Sequence, residues 1–437
     1  MVKIIRLLLL VGLLVTAFIA IEAQAASSKI DVLHVEGTIN PVLVDYIERG
    51  IAQAEEDNTI ACIIQMDTPG GLDTSMRLII QDILNAKVPV VVYIPSGARA
   101  ASAGFFITIA AHVAVMAPGT EIGAAHPVAM SSEGEAAMSE AMEEKIVNDA
   151  AAYAISIANT HGRNAEWAEK AVREAASLPS HQALELNVID MIAPNLDALI
   201  SQLDDRQVTM LDGSTVTLRT QGATVNHVNM TVIEDFLYAI SDPNIAYILL
   251  SLAMLGIMVE IFNPGLIFPG VVGGICGLLA FYSLGMLPVN YAGVLLIVLA
   301  FGLFIAEVFT TTFGLFTAGG LTSLVIGSLI LFKGGPLFQL NPWLIATVSI
   351  CIAALFAFVI NRIIKAHRHQ ATTGREELVG KTAIVKIALE PEGIVFFRGE
   401  RWIAVSEKGR VEPGEEVIIT KVDGLKLYVT RKDGGGK

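Results

Sequence analysis

The chain contains little cysteine and has fewer basic than acidic residues. Three cysteines occur in 437 residues, and their positions fit neither a disulfide framework nor a cysteine-ligated metal site. No metal ion and no cofactor is therefore expected. There are 29 Lys and Arg against 43 Asp and Glu, which gives a formal net charge of −14. This acidic balance is ordinary for an exported domain and does not indicate a nucleic-acid partner.

Charged residues are also scarce between residues 245 and 361, where apolar residues are concentrated. Each of five apolar segments approaches the roughly 20 residues that a membrane-spanning helix needs. These segments are Ile245 to Phe262, Val271 to Leu287, Tyr291 to Phe309, Leu315 to Phe332 and Pro342 to Ile360. We therefore predict a transmembrane domain of four or five helices over residues 241–361, in contact with membrane lipid.

Both ends of the chain carry signals for orientation. Residues 1–25 combine basic residues, an apolar stretch and a small-residue cleavage motif. This is the pattern of a secretory signal peptide, and the alternative is an uncleaved anchor helix. A basic linker, residues 362–376, follows the last apolar segment, and basic flanks stay in the cytoplasm. An odd number of spans, five, places the segment after the signal peptide outside the cytoplasm and the basic linker inside it. We predict a multi-pass protein of the bacterial inner membrane, with residues 26–240 outside the cytoplasm and residues 377–437 inside.

The two predicted water-exposed domains differ in pattern. Residues 26–240 alternate short apolar strands, such as residues 60–66 and 88–94, with amphipathic helices, such as residues 41–56 and 140–160. This alternation predicts an α/β domain with a parallel sheet. Residues 377–437 instead show about five short strands separated by Gly and Pro, which predicts a small all-β barrel.

Three features of the α/β domain are the parts of a serine/lysine hydrolase site. Ser102 lies where an apolar strand is followed by an apolar helix, and Gly70 and Gly71 follow a second strand, so that their N–H groups could face the same point. Lys145, on a predicted helix, offers an amine as base. Acyl transfer needs a nucleophile, a proton acceptor and oxyanion donors within hydrogen-bond reach. The order of these features along the chain indicates the site more strongly than any one of them.

Each feature also has an ordinary interpretation. A serine among small residues is common at the start of a buried helix, and two glycines after a strand commonly form a tight turn. Lys145 could be a surface lysine paired with Asp149 at i, i+4. As a base it would have to lose water, because a lysine amine with a reference pKa of about 10.4 is almost wholly protonated at pH 7. His126 is the rival base, since histidine titrates near 6.5 without tuning.

Four motifs resemble those of the NfeD-type membrane serine proteases, the stomatin operon partner proteins of the ClpP/crotonase superfamily. The motifs are Asp67-Thr-Pro-Gly-Gly71, Ala100-Ala-Ser-Ala-Gly104, Ile122-Gly-Ala-Ala-His-Pro127 and Lys145-Ile-Val-Asn-Asp-Ala150. The resemblance covers nearly the whole chain. It implies a ClpP/crotonase-like fold for the exported α/β domain, an α-helical transmembrane domain, an OB-fold for the barrel, and a homo-oligomer.

The resemblance also implies roles for individual residues. Ser102 would be the nucleophile and Lys145 the base, while the backbone N–H groups of Gly71 and Ala103 would form the oxyanion hole. The possible supporting residues are Gly70, His126 and Asp149.

These observations lead to two functional hypotheses. We expect a membrane-anchored serine endopeptidase with a Ser/Lys dyad that cleaves apolar segments of membrane proteins, with a stomatin/SPFH-family protein as the partner that the resemblance implies. The alternative is a non-catalytic assembly factor that organises SPFH-type scaffold proteins. An acyl-CoA enzyme of the crotonase type would share the fold, but the predicted signal peptide places the domain away from CoA.

Overall fold

The computed structural model describes residues 29–127, 140–310, 314–368 and 378–432. They form two compact units, the first made of residues up to 350 apart from a short loop and the second mainly of residues 351 onward. The predicted signal peptide and part of the basic linker lie outside the described residues.

The first unit begins with the α/β domain. Its strands are β1 (Lys29–Glu36), β2 (Ala61–Asp67), β3 (Val90–Ile94), β4 (Arg99–Ala101), β5 (Val113–Met116), β6 (Glu121–Gly123), β7 (Ser177–Pro179), β8 (Met191–Ile192), β9 (Gln207–Thr209), β10 (Thr215–Thr217) and β11 (Thr224–Val228). Its helices are α1 (Pro41–Glu56), α2 (Asp73–Asn85), α3 (Ala103–Ala110), α4 (Glu140–Thr160), α5 (Ala165–Arg173), α6 (Ser180–Glu185), α7 (Leu196–Leu203) and α8 (Val232–Ile240).

A parallel sheet is the centre of this domain. Six strands pair in the order β11-β1-β2-β3-β5-β8, all of them parallel. Ile64 and Val92 face a core that includes side chains of helices α1 to α5, while Ile63 and Val91 face a second core closed by α7. Burial on both faces explains why these strands are continuous apolar runs. The predicted α/β domain is confirmed, and a separate three-stranded sheet, β4-β6-β7, was not predicted.

Five apolar helices follow: α9 (Pro243–Phe262), α10 (Ile267–Met286), α11 (Tyr291–Phe309), α12 (Leu315–Leu329) and α13 (Pro342–Arg368). The first three are long and apolar enough to cross a membrane, whereas α12 and the apolar part of α13 are shorter. Small residues allow α9 and α10 to pack closely, since a Cβ on Gly273 would lie 3.0 Å from Gly256 Cα. A membrane domain is thus confirmed, while the number of spans stays a prediction.

The second unit contains the predicted barrel. Five strands, β12 (Thr382–Ile387), β13 (Glu392–Phe397), β14 (Glu400–Ser406), β15 (Glu416–Asp423) and β16 (Lys426–Arg431), close in the order β12-β13-β14-β16-β15. The β14–β16 pair is parallel, and the other pairs are antiparallel. Five strands closed in this way agree with the expected OB-fold.

Arg163 fixes the C-terminal end of α3, the helix that begins directly after Ser102. Its guanidinium donates to the carbonyl oxygens of Ile109 and Ala111 at 2.6 and 2.8 Å and to the Asp190 carboxylate at 2.6 Å. A cation at this end complements the helix dipole. The helix is therefore held at the end opposite to Ser102.

Two histidines pack beside Arg163 in their neutral form. The rings of His112 and His161 lie edge to face with centroids 5.8 Å apart. Burial lowers the pKa of each to about 4, and the charge of Arg163 adds to this effect. The folded protein thus binds fewer protons at this position than the unfolded chain between about pH 6.5 and pH 4.

We expect these two histidines to make stability depend on pH. Their contribution to the free energy of unfolding is fully present above about pH 6.5 and is lost as pH falls towards 4. In this range the histidines of the unfolded chain bind protons, whereas the buried rings stay neutral. The thermal midpoint of the full chain in detergent, followed by tryptophan fluorescence, should fall over this range. The double variant His112→Gln, His161→Gln should show a smaller fall, and an equal fall in both proteins would contradict this explanation.

Candidate active site

Ser102 occupies a strained turn between β4 and α3. Its backbone has φ 53° and ψ −114°, a combination that side chains disfavour and that is often found at functional sites. The Ser102 N–H donates to the Gly123 carbonyl at 2.9 Å, which holds the turn. The side chain is half-buried and does not cap the helix that it precedes. Its hydroxyl is therefore available for another role.

Gly70 and Gly71 allow two close approaches of the chain. A Cβ on Gly70, where φ is +125°, would lie 2.8 Å from Ser102 Cβ and 3.2 Å from Ser102 Oγ. A Cβ on Gly71 would lie 2.2 Å from the Ile39 carbonyl oxygen. The residues between β2 and α2, which we call the glycine loop (residues 68–72), thus pass beside Ser102 on one side and against Ile39 on the other.

Backbone hydrogen bonds hold the glycine loop on both sides. The Ile39 N–H donates to the Gly70 carbonyl, and the Leu72 N–H donates to the Ile39 carbonyl, each at 2.9 Å. On the other side the Ala101 N–H donates to the Thr68 carbonyl at 3.1 Å. The loop therefore bridges the end of β1 and the strand that leads to Ser102.

These bonds leave two N–H groups near Ser102 unpaired. The C=O and N–H of a trans peptide point in opposite directions, so the bond to the Gly70 carbonyl turns the Gly71 N–H away from Ile39. Neither the Gly71 N–H nor the Ala103 N–H has an acceptor among the residues that the structure describes. Two such donors beside a serine hydroxyl have the chemistry of an oxyanion hole.

Lys145 is placed differently. It lies in the N-terminal part of α4 with an exposed side chain. Within the described ranges its amine forms no ion pair and no hydrogen bond, including none with Ser102. The structure thus brings Ser102, Gly70, Gly71 and Ala103 together but does not join Lys145 to them, and the expected burial of the amine is not present.

Asp149 is bound by Arg77 and not by Lys145. Arg77 Nη2 lies 2.6 Å from Asp149 Oδ2, and Arg77 Nε lies 2.8 Å from Asp73 Oδ2. The guanidinium also lies over the Tyr153 ring, 4.5 Å from its centroid. Arg77 therefore ties α4 to the start of α2, directly after the glycine loop.

His126 is bonded to the backbone of α5. Its Nδ1 lies 2.9 Å from the Val172 carbonyl oxygen and, because a carbonyl only accepts, Nδ1 is the donor of this bond. In the part of the chain that the structure describes, no hydrogen bond joins His126 to Ser102. Also within that part, no group of three or more His, Cys, Asp or Glu could hold a metal ion.

Sequence reasoning missed three residues that build the site. Ile39 acts through its backbone groups, for which the residue type carries no signal. Thr68 acts through its backbone carbonyl and also through its hydroxyl, which accepts from the Gly70 N–H at 3.0 Å. Arg77 and Asp73 have the i, i+4 spacing of a helical ion pair. That spacing predicts a surface pair and does not reveal the longer-range bond to Asp149.

Together the fold and the site define a multidomain membrane protein whose α/β domain carries a serine-centred site. Residues 29–223 match the family model for the NfeD1b N-terminal domain, residues 244–362 the NfeD integral membrane domain, and residues 375–431 the NfeD-like C-terminal, partner-binding domain. The chain is 38% identical to the membrane-bound protease PH1510 of Pyrococcus horikoshii, over 98% of this chain and 99% of that protein. The chain therefore belongs to the NfeD family, which confirms the resemblance of the motifs.

Two further comparisons extend this result. The membrane protein NfeD1b of Bacillus subtilis is 28% identical over 96% of this chain and 97% of that protein. Among solved structures, a lysine-to-alanine variant of the 1510-N membrane-bound stomatin-specific protease, in complex with a substrate peptide, is 34% identical. The structural match covers 49% of this chain and 98% of the 1510-N chain, with a TM-score of 0.46.

We expect Gly70→Ala to abolish labelling of Ser102 by a fluorophosphonate, because the new methyl group would occupy the space beside Ser102 Cβ and displace the glycine loop. Labelling can be measured by in-gel fluorescence and the modified residue identified by mass spectrometry. Gly97→Ala is the matched control, since Gly97 also has a positive φ, +84°, but has no atom within 4 Å of the added Cβ. Equal labelling of the two variants would contradict the predicted contact.

A second prediction concerns Arg77. Arg77→Gln removes the bonds that tie α4 to the start of α2, so the thermal midpoint of the full chain in detergent should fall. Lys170→Gln is the control, because Lys170 pairs only with Glu166 of its own helix. An equal fall in the two variants would contradict the predicted role of the contact between the helices.

Proposed function

We propose that the protein is a membrane-anchored serine endopeptidase in which Ser102 is the nucleophile and Lys145 the base. The observation that carries this proposal is the position of Ser102, in a strained turn against Gly70, with the N–H groups of Gly71 and Ala103 unpaired. The name of the relative PH1510, a membrane-bound protease, supports the same reaction. So does the existence of a lysine variant of 1510-N in complex with a substrate peptide.

The reaction follows from the roles of these groups. Ser102 Oγ attacks the scissile carbonyl carbon, and the negative charge that develops on the carbonyl oxygen is bound by the Gly71 and Ala103 N–H groups. The Oγ proton passes to the Lys145 amine and then to the leaving amine, which leaves an acyl-enzyme. Water then attacks the ester carbon while the Lys145 amine takes its proton, the bond from that carbon to Ser102 Oγ breaks, the carboxylic acid product leaves, and Lys145 returns the proton to Ser102.

The exposure of Lys145 points to apolar substrates. An exposed amine is hydrated and charged, and it becomes a base only when water is removed from it. An apolar peptide segment laid over the N-terminal part of α4 would exclude that water and favour the neutral amine. This requirement supports apolar segments of membrane proteins as the substrate class, and the relative described as stomatin-specific supports a stomatin/SPFH-family partner.

The rest of the proposed arrangement rests on the orientation signals in the sequence. The α/β domain would lie outside the cytoplasm of a bacterial inner membrane, and the barrel inside. The protein would act as a homo-oligomer, as the family resemblance implies.

A second candidate function, a non-catalytic assembly factor, is favoured by the barrel. The residues of the barrel match the family model of the NfeD-like C-terminal, partner-binding domain. The paired residues Ile384 and Phe396 and the neighbouring Ile403 are 42%, 37% and 47% exposed on its outer surface. Apolar side chains grouped on adjacent strands suit a protein partner. This role could accompany proteolysis. A variant without the nucleophile distinguishes the two functions, because it would lose cleavage and keep partner binding.

We expect Ser102→Ala to abolish cleavage of a peptide that contains an extended apolar segment, measured by mass spectrometry with the full chain in detergent. Lys145→Arg keeps the positive charge but cannot become neutral at pH 7, so it should lower kcat at least about 100-fold. Lys170→Arg is the matched control, because Lys170 is an exposed helical lysine paired only with Glu166. Cleavage by Ser102→Ala at the wild-type rate would exclude the protease and favour the assembly factor.

A further inference from the structure

The short segment that joins β1 to α1 lies between the glycine loop and the helix that precedes the membrane domain. We call it the brace, residues 36–39. One end of the brace holds the candidate oxyanion donor, because Ile39 bonds the peptides on both sides of Gly71: its N–H donates to the Gly70 carbonyl, and its carbonyl accepts from the Leu72 N–H. The Gly37 N–H also donates to the Asp67 carbonyl at 2.9 Å, at the end of β2. A displacement of the brace would therefore move the glycine loop.

The other end of the brace is held by Tyr238 of α8. The Tyr238 hydroxyl donates to the Glu36 carbonyl at 2.7 Å, and the Thr38 N–H faces the Tyr238 phenol oxygen. The phenol fits directly against Gly37, where a Cβ would lie 2.5 Å from Tyr238 Oη. Burial raises the pKa of Tyr238 to about 12, so the hydroxyl stays a donor at any physiological pH.

Helix α8 is itself fixed to two other parts of the first unit. Arg49 of α1 forms a two-point ion pair with Glu234, at 2.8 and 2.7 Å. At the C-terminal end of α8, Ser283 of the apolar helix α10 donates to the Ile240 carbonyl. The contacts thus run without interruption from α10 through α8 and Tyr238 to the brace and the glycine loop.

Resting on the proposed function, we propose that Tyr238 is a positioning residue for catalysis, which couples the membrane domain to the oxyanion hole by holding residues 36–39 against the Gly70–Gly71 peptide. Tyr238 does not touch the reacting atoms. Its effect is on the place of the Gly71 N–H, which matters only when negative charge develops on the substrate oxygen. Loss of the hydroxyl should therefore lower kcat and leave KM unchanged.

Tyr238→Phe in the full chain removes the hydroxyl and keeps the ring. The probe is a fluorogenic peptide with uncharged apolar residues on both sides of the scissile bond. We expect kcat to fall about tenfold or more, because errors of position below 1 Å are costly in an oxyanion hole, with KM changed by less than about twofold. The inhibition constant of a peptide aldehyde, whose carbonyl carbon bonds to Ser102 Oγ and whose oxygen takes the oxyanion position, should rise by the same factor as kcat falls.

Tyr46→Phe is a matched control. The Tyr46 hydroxyl also donates to a backbone carbonyl, that of Val228 at 2.6 Å, and accepts from a backbone N–H, that of His34 at 3.1 Å. It lies in the same domain but has no bond to the brace. Tyr46→Phe should lower the thermal midpoint at least as much as Tyr238→Phe and leave both kcat and the aldehyde inhibition constant unchanged.

Ser283→Ala provides a second variant, since it loosens α8 from α10 without altering the α/β domain, and it should lower kcat in the same direction. The inference is overturned if Tyr238→Phe keeps the wild-type kcat, or if Tyr46→Phe lowers kcat equally. It is also overturned if KM rises while kcat is kept. If instead Ser102→Ala still cleaves the peptide, the proposed function itself is wrong, so the two failures are distinguishable.

Discussion

The geometry around Ser102 depends on one backbone contact, the passage of Ile39 alongside Gly71. A side chain at position 71 would overlap the Ile39 carbonyl, since its Cβ would lie 2.2 Å away. The absence of a side chain lets two hydrogen bonds form between the segments, and these fix the peptide whose N–H is left unpaired. The strained turn at Ser102 meets the same loop from the opposite side. Donors held in place before substrate arrives need no reorganisation during the reaction, which is the physical basis of oxyanion stabilisation.

The two halves of the candidate site are built differently. The serine and its donors are held by short backbone bonds in the interior, whereas Lys145 is exposed on α4. The bond from Arg77 to Asp149 fixes this helix to the start of α2. In the proposed mechanism, an apolar segment that covers the lysine completes the site. Such a dependence would restrain proteolysis beside a membrane, because soluble polar chains would not supply the desolvation.

The α/β domain and the apolar helices are joined by side-chain contacts as well as by the continuous chain. Helix α8 carries exposed apolar side chains, Val232 and Ile233 among them, directly before the first apolar helix. Through Glu234 and Tyr238 it also contacts α1 and the residues that support the glycine loop. The same short helix therefore carries exposed apolar side chains next to the first apolar helix and also contacts the support of the candidate oxyanion hole.

Local pattern determined a large part of this protein. The bounds of α1, the long helix over residues 140–160 and the apolar segments all follow from periodicity, because burial of one face acts on neighbouring residues. The identity of Ser102, Gly70 and Gly71 as a group also came from their motifs. Tertiary structure alone decided the pairing of β11 with β1, the bond of Arg77 to Asp149 and the contact of Ile39 with the glycine loop. Those contacts join distant parts of the chain, mostly through backbone groups that every residue shares. No local sequence pattern therefore predicts them.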